Sequence, residues 1–166
     1  GNFFFFFFEF NEGFHFFCED PDQQLWFLSK TGSVFTQNTR SNRWQRRRIP
    51  SLDTPNSIFC SDDGMIWVSG SHHGIAAVSR FDGDSWTTDL FPTLGDRISH
   101  TGVIQLDDGR MLFGSGKELP SNRDGLVEYV KSNNGWISET HGPPIVPVRI
   151  AHFSQGESGQ LMAGSF

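Results

Sequence analysis

The side chains best suited to bind a polar ligand are a small set of histidines and charged residues near predicted loops. His72 and His73 are adjacent and are followed by Gly74. Imidazole and guanidinium groups donate hydrogen bonds, and ammonium and carboxylate groups add charge, so such a set suits a polar molecule. The candidate ligand-binding residues are His72, His73, Arg97, His100, Lys117 and Glu118.

Neither a catalytic centre nor a metal site is predicted. Because successive side chains of a strand point to opposite faces, His72 and His73 are not expected to bind one metal ion. No Ser-His-Asp or Cys-His-Asp arrangement and no Walker phosphate loop is recognisable. We therefore expect no cofactor and no catalysis by this segment. The aspartates beside turn glycines are predicted to bond to their own backbone; they are Asp62, Asp63, Asp107 and Asp108.

Composition excludes several classes of protein. The chain has 166 residues, a net charge of −6 and a pI of about 5.4. A protein that binds nucleic acid by general electrostatics is normally basic, so the acidic net charge counts against this function. The longest apolar run, six phenylalanines at residues 3–8, is far short of the roughly 20 residues that span a bilayer. We expect no nucleic-acid partner, no membrane insertion by this segment and no signal peptide.

The sequence repeats itself at the interval of a propeller blade. Segments of the type Asp-Asp-Gly followed by apolar residues align on Trp26, Trp67, Phe113 and Met162, at intervals of 41, 46 and 49 residues. A second marker, formed by Trp44, Trp86 and Trp136, recurs at intervals of 42 and 50 residues. A period of about 40–50 residues is typical of β-propeller blades.

One repeat reads as four short strands joined by turns. Apolar runs at 57–61, 65–69, 75–81 and 85–91 are separated by glycine-containing segments that favour hairpins. The predicted fold is all-β, a partial β-propeller of about three and a half four-stranded antiparallel blades, and a fragment of a longer propeller. The predicted blade units are 13–55, 56–100, 101–149 and a truncated 150–166, with the Phe-rich residues 1–12 as an outer strand of a preceding blade.

Strand direction places the candidate ligand-binding residues on one face. If the strands of a blade are lettered A to D, the D–A and B–C loops emerge on the same face of the propeller. His72 and His73 belong to a predicted B–C loop, and Arg97 and His100 to a D–A loop. Loops on a rigid scaffold commonly carry binding residues, so we expect the site around the mouth of the central channel.

The two cysteines are predicted to be free thiols. Cys18 and Cys60 lie 42 residues apart, close to one period, which assigns them equivalent positions in A strands of neighbouring blades. We expect those positions to lie farther apart than the Cα separation of about 4.4–6.8 Å that a disulfide accepts.

The tryptophans and arginines have structural and functional interpretations. Trp26 and Trp67 are expected to pack between blades, although an aromatic ring in that position also suits stacking on a sugar.

Five arginines surround Trp44, and alternation along the strand sends Arg46 and Arg48 to one face of the sheet and Arg47 to the other. A charged outer strand that protects a sheet edge fits this pattern better than a nucleic-acid surface.

The stretch at 58–81, IFCSDDGMIWVSGSHHGIAAVSRF, resembles the two-component-regulator propeller repeat. The matching positions are Asp62 or Asp63, Gly64, Ile66, Trp67, Ser69, Gly74 and Phe81. The resemblance implies the extracytoplasmic sensor part of a hybrid histidine kinase, which would be periplasmic or extracellular. It also implies a small-molecule or oligosaccharide ligand. Because the chain is predicted to be a fragment of a longer propeller, the expected partner is the remaining blades of the same parent chain.

A second, weaker resemblance keeps other functions open. The Leu25-Trp26-Phe27 segment and the stretch GDSWTTDLFPT at 83–93 look like streptogramin lyase-type propellers. That family uses a metal-assisted elimination with a histidine base, but no residue here matches its catalytic set. The alternatives to a sensor are therefore a lyase or hydrolase propeller, or a propeller that binds another protein.

Overall fold

The computed structural model describes residues 13–38, 43–49, 51–116, 125–142, 150 and 152–164. The first sheet contains β1 (Phe14–Glu19), β2 (Leu25–Ser29), β3 (Ser33–Asn38) and β4 (Arg43–Arg48). The second contains β5 (Thr54–Cys60), β6 (Ile66–His72), β7 (Ile75–Phe81) and β8 (Trp86–Phe91). The third contains β9 (Ile98–Gln105), β10 (Met111–Ser115), β11 (Leu126–Ser132) and β12 (Gly135–His141). A fourth, two-stranded sheet contains β13 (His152–Gln155) and β14 (Leu161–Gly164).

Each sheet is an antiparallel meander in which consecutive strands are neighbours. The first strands β1, β5, β9 and β13 pack against one another in that order, so they form the inner ring of a partial β-propeller. This confirms the predicted fold class. One short 3₁₀ segment, Pro92–Leu94, connects the second sheet to the third. Within the described residues, no helix has the length and apolar character needed to cross a membrane.

The hydrophobic core consists of three clusters that fill the spaces between successive sheets. Trp26 and Phe81 pack in the first cluster, Trp67 and Phe113 in the second, and Leu112 and Phe153 in the third. Trp67 has no exposed surface, and its ring lies 4.9 Å from that of Trp136. The packing interpretation of these tryptophans is therefore confirmed.

The turns between first and second strands repeat with the same hydrogen bonds in all four sheets. In each turn the first residue donates its N–H to the carbonyl four residues later and accepts from the N–H three residues later. The first residues of these turns are Asp20, Ser61, Leu106 and Gly156. The position six residues later is occupied by Trp26, Trp67, Leu112 and Met162.

This turn geometry corrects the alignment of the third repeat by one residue. Leu112, not Phe113, is the counterpart of Trp67. Because side chains alternate along a strand, a shift of one residue transfers a side chain to the opposite face. Phe113 accordingly faces the second sheet and touches Trp67, with ring centroids 5.6 Å apart, whereas Leu112 packs toward the fourth sheet.

The first of these turns places a glutamine where the others have glycine. Gln23 adopts φ 62°, and Gly64, Gly109 and Gly159 occupy the equivalent place with φ of 81°, 85° and 77°. A left-handed backbone costs a non-glycine residue about 1–2 kcal/mol. Glycine instead loses about 0.5–1 kcal/mol of additional chain entropy on folding.

We therefore predict that Gln23→Gly raises the free energy of unfolding by about 0.5–1 kcal/mol. The matched variant, Gly64→Gln, makes the reverse exchange at the same turn position and is expected to destabilise the protein by a similar amount. Urea unfolding of both variants measures the two changes in the free energy of unfolding. A destabilising Gln23→Gly exchange would show that the turn geometry is wrong.

The prediction of two free thiols is wrong, because Cys18 and Cys60 form a disulfide. Their Cα atoms are 5.6 Å apart, which is within the range that a disulfide accepts. The bond joins the innermost strands β1 and β5 and so links the first sheet to the second.

The one-residue offset between the cysteines explains the bond. The turns set the local repeat at 41 residues, from Asp20 to Ser61, whereas the cysteines are separated by 42. The counterpart of Cys60 is Glu19 rather than Cys18. Cys18 therefore faces toward the second sheet while Cys60 faces back toward the first, and both pack against the cluster between these sheets.

The same position links the later sheets to their predecessors by hydrogen bonds. Gln105 and Gln155, the counterparts of Cys60, accept hydrogen bonds from the backbone N–H groups of Asp62 and Asp107 at 2.9 and 3.2 Å. The residue at this position therefore links each later sheet to the sheet before it. The link is a disulfide for the second sheet and a hydrogen bond to a glutamine side-chain oxygen for the third and fourth.

The outer strand β4 carries its arginines as alternation predicts. The Arg46 guanidinium lies over Phe35 at 5.7 Å, and that of Arg47 lies over Phe81 at 4.7 Å. The two side chains therefore occupy opposite faces of the first sheet. The phenylalanine run at residues 3–8 and the strand predicted for 1–12 lie outside the described residues.

Candidate ligand-binding site

Connections between sheets and turns between second and third strands meet at one face of the molecule. The N–H of His73 donates to the Asp53 carboxylate at 2.9 Å, which joins the β6–β7 turn to the segment before β5. The Asn56 side-chain amide donates to the Ile98 carbonyl at 2.7 Å, and the N–H of Gly116 donates to the Arg97 carbonyl at 3.0 Å. We call the surface formed by residues 51–53, 73–74 and 95–100 the connection face.

Two of the six candidate residues lie together at the β6–β7 turn. His72 is the last residue of β6 and is partly buried, whereas His73 is exposed in the turn itself. The two rings are 4.1 Å apart between centroids. The expectation that these rings point apart is wrong, because the strand ends at His72 and His73 adopts a positive φ of 50°.

Asp53 completes this group from the neighbouring segment. Its Oδ2 is 3.2 Å from Nδ1 of His73. The hydrogen bond from the His73 backbone N–H lowers the pKa of the Asp53 carboxyl, burial opposes this, and the nearby His73 and His72 lower it further. Asp53 is therefore an ionised acceptor held against two imidazoles, a role that the sequence did not indicate.

The other four candidates lie outside the β6–β7 turn. Arg97 lies before β9 and forms an ion pair with Asp96 at 3.7 Å. His100 is exposed within β9, and its ring is 6.3 Å from that of Phe16 in the first sheet. Lys117 and Glu118 lie outside the described residues.

A polar group that sequence reasoning missed lies on the side of the third sheet that faces the fourth. Glu128 accepts from Arg110 at 2.5 Å and contacts Nε2 of His141 at 2.9 Å. Burial disfavours the Glu128 carboxylate, but the bonds from Arg110 and His141 outweigh it and lower the pKa. These side chains line a cavity of about 390 Å³. Arg110 lies in the turn before β10, Glu128 in β11 and His141 in β12, and no spacing in the sequence reveals the group.

A second cavity of about 420 Å³ lies near the turns of the second and third sheets. Lys131 lines it and forms an ion pair with Asp63 at 2.7 Å. Burial opposes ionisation of Asp63, but bonds from Lys131 and Ser61 lower its pKa. Asp63 also accepts from the N–H of Met65, as predicted for a turn-forming aspartate.

Solved structures with the same fold include a domain of a two component protein and proteins described as enzymes. The extracellular domain of a protein described as a hybrid two component system of B. thetaiotaomicron matches with a TM-score of 0.60 and 15% identity. Virginiamycin B lyase from Staphylococcus aureus, solved as an inactive variant with quinupristin, matches with a TM-score of 0.66 and 12% identity. A protein described as a gluconolactonase matches with a TM-score of 0.58 and 17% identity.

These likenesses cover most of this chain but only part of each neighbour. The match spans 92% of this chain and 20% of the two component protein, 92% and 48% for the lyase, and 89% and 55% for the third structure. Both resemblances noted in the sequence are thus confirmed as likenesses of fold. No family model matches the sequence, and no curated protein matches it significantly.

Proposed function

We propose that this chain is the ligand-binding part of a sensor propeller that works outside the cytoplasm and binds a carbohydrate at the connection face. The observation that carries the proposal is that hydrogen bonds bring the β6–β7 turn and the connections before β5 and β9 to one face. A rigid arrangement of loops on a β scaffold is a common basis for ligand recognition.

The side chains on this face suit a ligand rich in hydroxyl groups. His73 and Arg97 are exposed and offer imidazole and guanidinium donors, and Asp53 offers an ionised acceptor. Sugar hydroxyls both donate and accept hydrogen bonds, so they require a mixed set of this kind. Phe16, whose ring lies 6.3 Å from that of His100, adds an aromatic surface nearby.

The disulfide supports a location outside the cytoplasm. Disulfides form and persist in oxidising compartments and are rare in the reducing cytosol. The Cys18–Cys60 bond is consistent with a periplasmic or extracellular protein. The likeness to the extracellular domain of a two component protein favours the same location.

Calorimetric titration with a panel of oligosaccharides tests the proposal. We expect at least one oligosaccharide to bind, and we expect His73→Ala and Arg97→Ala each to weaken that binding about tenfold, the loss of a hydrogen bond to the ligand. Arg43→Ala is the matched control, because Arg43 is an exposed arginine at the start of β4, away from the connection face.

Two results would overturn the proposal. One is oligosaccharide binding that both substitutions leave unchanged, which would place the site elsewhere. The other is the absence of binding across the panel together with turnover of a lactone or glycosidic substrate. That result would favour the lyase or hydrolase alternative, for which the Glu128 and His141 pair beside the cavity is the strongest group.

A further inference from the structure

The β6–β7 turn and the segment before β5 bring three metal-ligating side chains together. Among the residues that the structure describes, Asp53, His72 and His73 each present one ligand atom, and these atoms all lie within 4.8 Å of one another. We propose that these three residues bind a divalent transition-metal ion of the zinc class.

The distances suit an ion after only a small side-chain movement. Zinc bonds to imidazole nitrogen and carboxylate oxygen at about 2.0–2.2 Å, which places tetrahedral ligand atoms roughly 3.3–3.6 Å from each other. Oδ2 of Asp53 and Nδ1 of His73 are already 3.2 Å apart. All three ligand atoms lie within 4.8 Å of one another, so we expect side-chain rotations to close the site.

The backbone around the site is already organised. His72 pairs with Ile75 across the turn, and His73 and Gly74 both have positive φ, of 50° and 72°. Two consecutive residues of this kind are typical of a type I′ hairpin turn, where asparagine or glycine is usual. A histidine at the first position carries some backbone strain, and such strain often marks a functional site.

Hydrogen bonding favours the deprotonated, metal-binding form of the carboxylate and leaves an imidazole available. The N–H of His73 holds the Asp53 carboxylate in place at 2.9 Å. Nδ1 of His72 is buried and has no hydrogen-bond partner within the described part of the chain. This nitrogen is therefore available to bind an ion.

The ligand set indicates the kind of ion and its coordination. Two imidazoles and one carboxylate suit zinc and its neighbours in the first transition series rather than calcium or magnesium, which prefer oxygen ligands. Three protein ligands leave at least one coordination position open. His73 is 78% exposed, so that position is open to solvent and to an incoming ligand.

Zinc titration of the full chain by calorimetry tests the proposal. We expect one zinc ion per chain at the tightest site, and we expect His72→Gln, His73→Asn and Asp53→Asn each to weaken its binding by at least about tenfold. Asparagine is chosen for position 73 because it tolerates a positive φ. His15→Gln and His152→Gln, which remove exposed histidines outside the connection face, are the controls and are expected to bind as the unsubstituted chain does.

A second measurement separates loss of the site from loss of the fold. Zinc is expected to raise the melting temperature of the unsubstituted chain and of the control variants, and EDTA to reverse the increase. The three site variants are expected to keep the strand-rich circular dichroism spectrum but to show no increase. Equal zinc binding by the site variants and the unsubstituted chain would overturn the proposal, whether or not an oligosaccharide binds.

Discussion

Replacing both cysteines by serine is expected to lower the free energy of unfolding by about 4 kcal/mol, the chain-entropy value for a bond that closes a loop of 42 residues. The bond joins β1 to β5, so its loss removes the covalent link between the first and second sheets. Urea unfolding of the Cys18→Ser, Cys60→Ser double variant measures the change.

A reducing agent provides the matched control for this prediction. Dithiothreitol should destabilise the unsubstituted chain by a similar amount and leave the double variant unaffected. Peptide mapping without reduction should recover residues around Cys18 and Cys60 in one linked fragment. Two freely alkylated thiols in the native, unreduced protein would contradict the account.

Trp67→Ala is expected to destabilise the protein by about 3–5 kcal/mol, as is typical of a buried tryptophan replaced by alanine. Trp67 is fully buried between the second and third sheets, where it touches Phe113, Tyr129 and Trp136. Its indole N–H also donates to Ser61 Oγ at 3.1 Å, and this bond is lost with the ring.

The same repeat position in the fourth sheet provides the control. Met162 is 53% exposed, and truncation of a surface side chain usually changes stability by no more than about 0.5 kcal/mol. Met162→Ala should therefore have little effect in the same urea experiment. Similar losses for both variants would show that the sheets do not pack as described.

The fold could be predicted because turn residues and tryptophans recur along the sequence at the interval of one blade. The sequence left the alignment of the third repeat uncertain by one residue. Leu112 and Phe113 are both apolar, so either fits the place of Trp67 in a pattern, and only the hydrogen bonds of the Leu106 turn decide between them.

The error over the cysteines has the same physical origin. A period estimated from Trp44 and Trp86 is 42 residues, whereas the turns of Asp20 and Ser61 are 41 apart. One residue reverses the direction of a side chain on a strand. Cys18 and Cys60 therefore do not hold equivalent positions in the repeat. They are offset by one residue, so their side chains face each other and form the bond.

The candidate site was only partly accessible from the sequence. Strand direction identified the His72–His73 turn, but Asp53 entered the group through a hydrogen bond between segments that are 20 residues apart. The proximity of the two rings depends on the positive φ of His73, and alternation in a strand does not predict it. The Glu128 group required the strand register of the third sheet.

Hydrogen–deuterium exchange with a bound oligosaccharide tests most directly whether the connection face is the ligand site. We expect slower exchange in the peptides that contain residues 51–53, 73–74 and 95–100, with little change in the turn after β9 or around Glu128. Protection confined to the cavity beside Glu128, with the connection face unchanged, would contradict it.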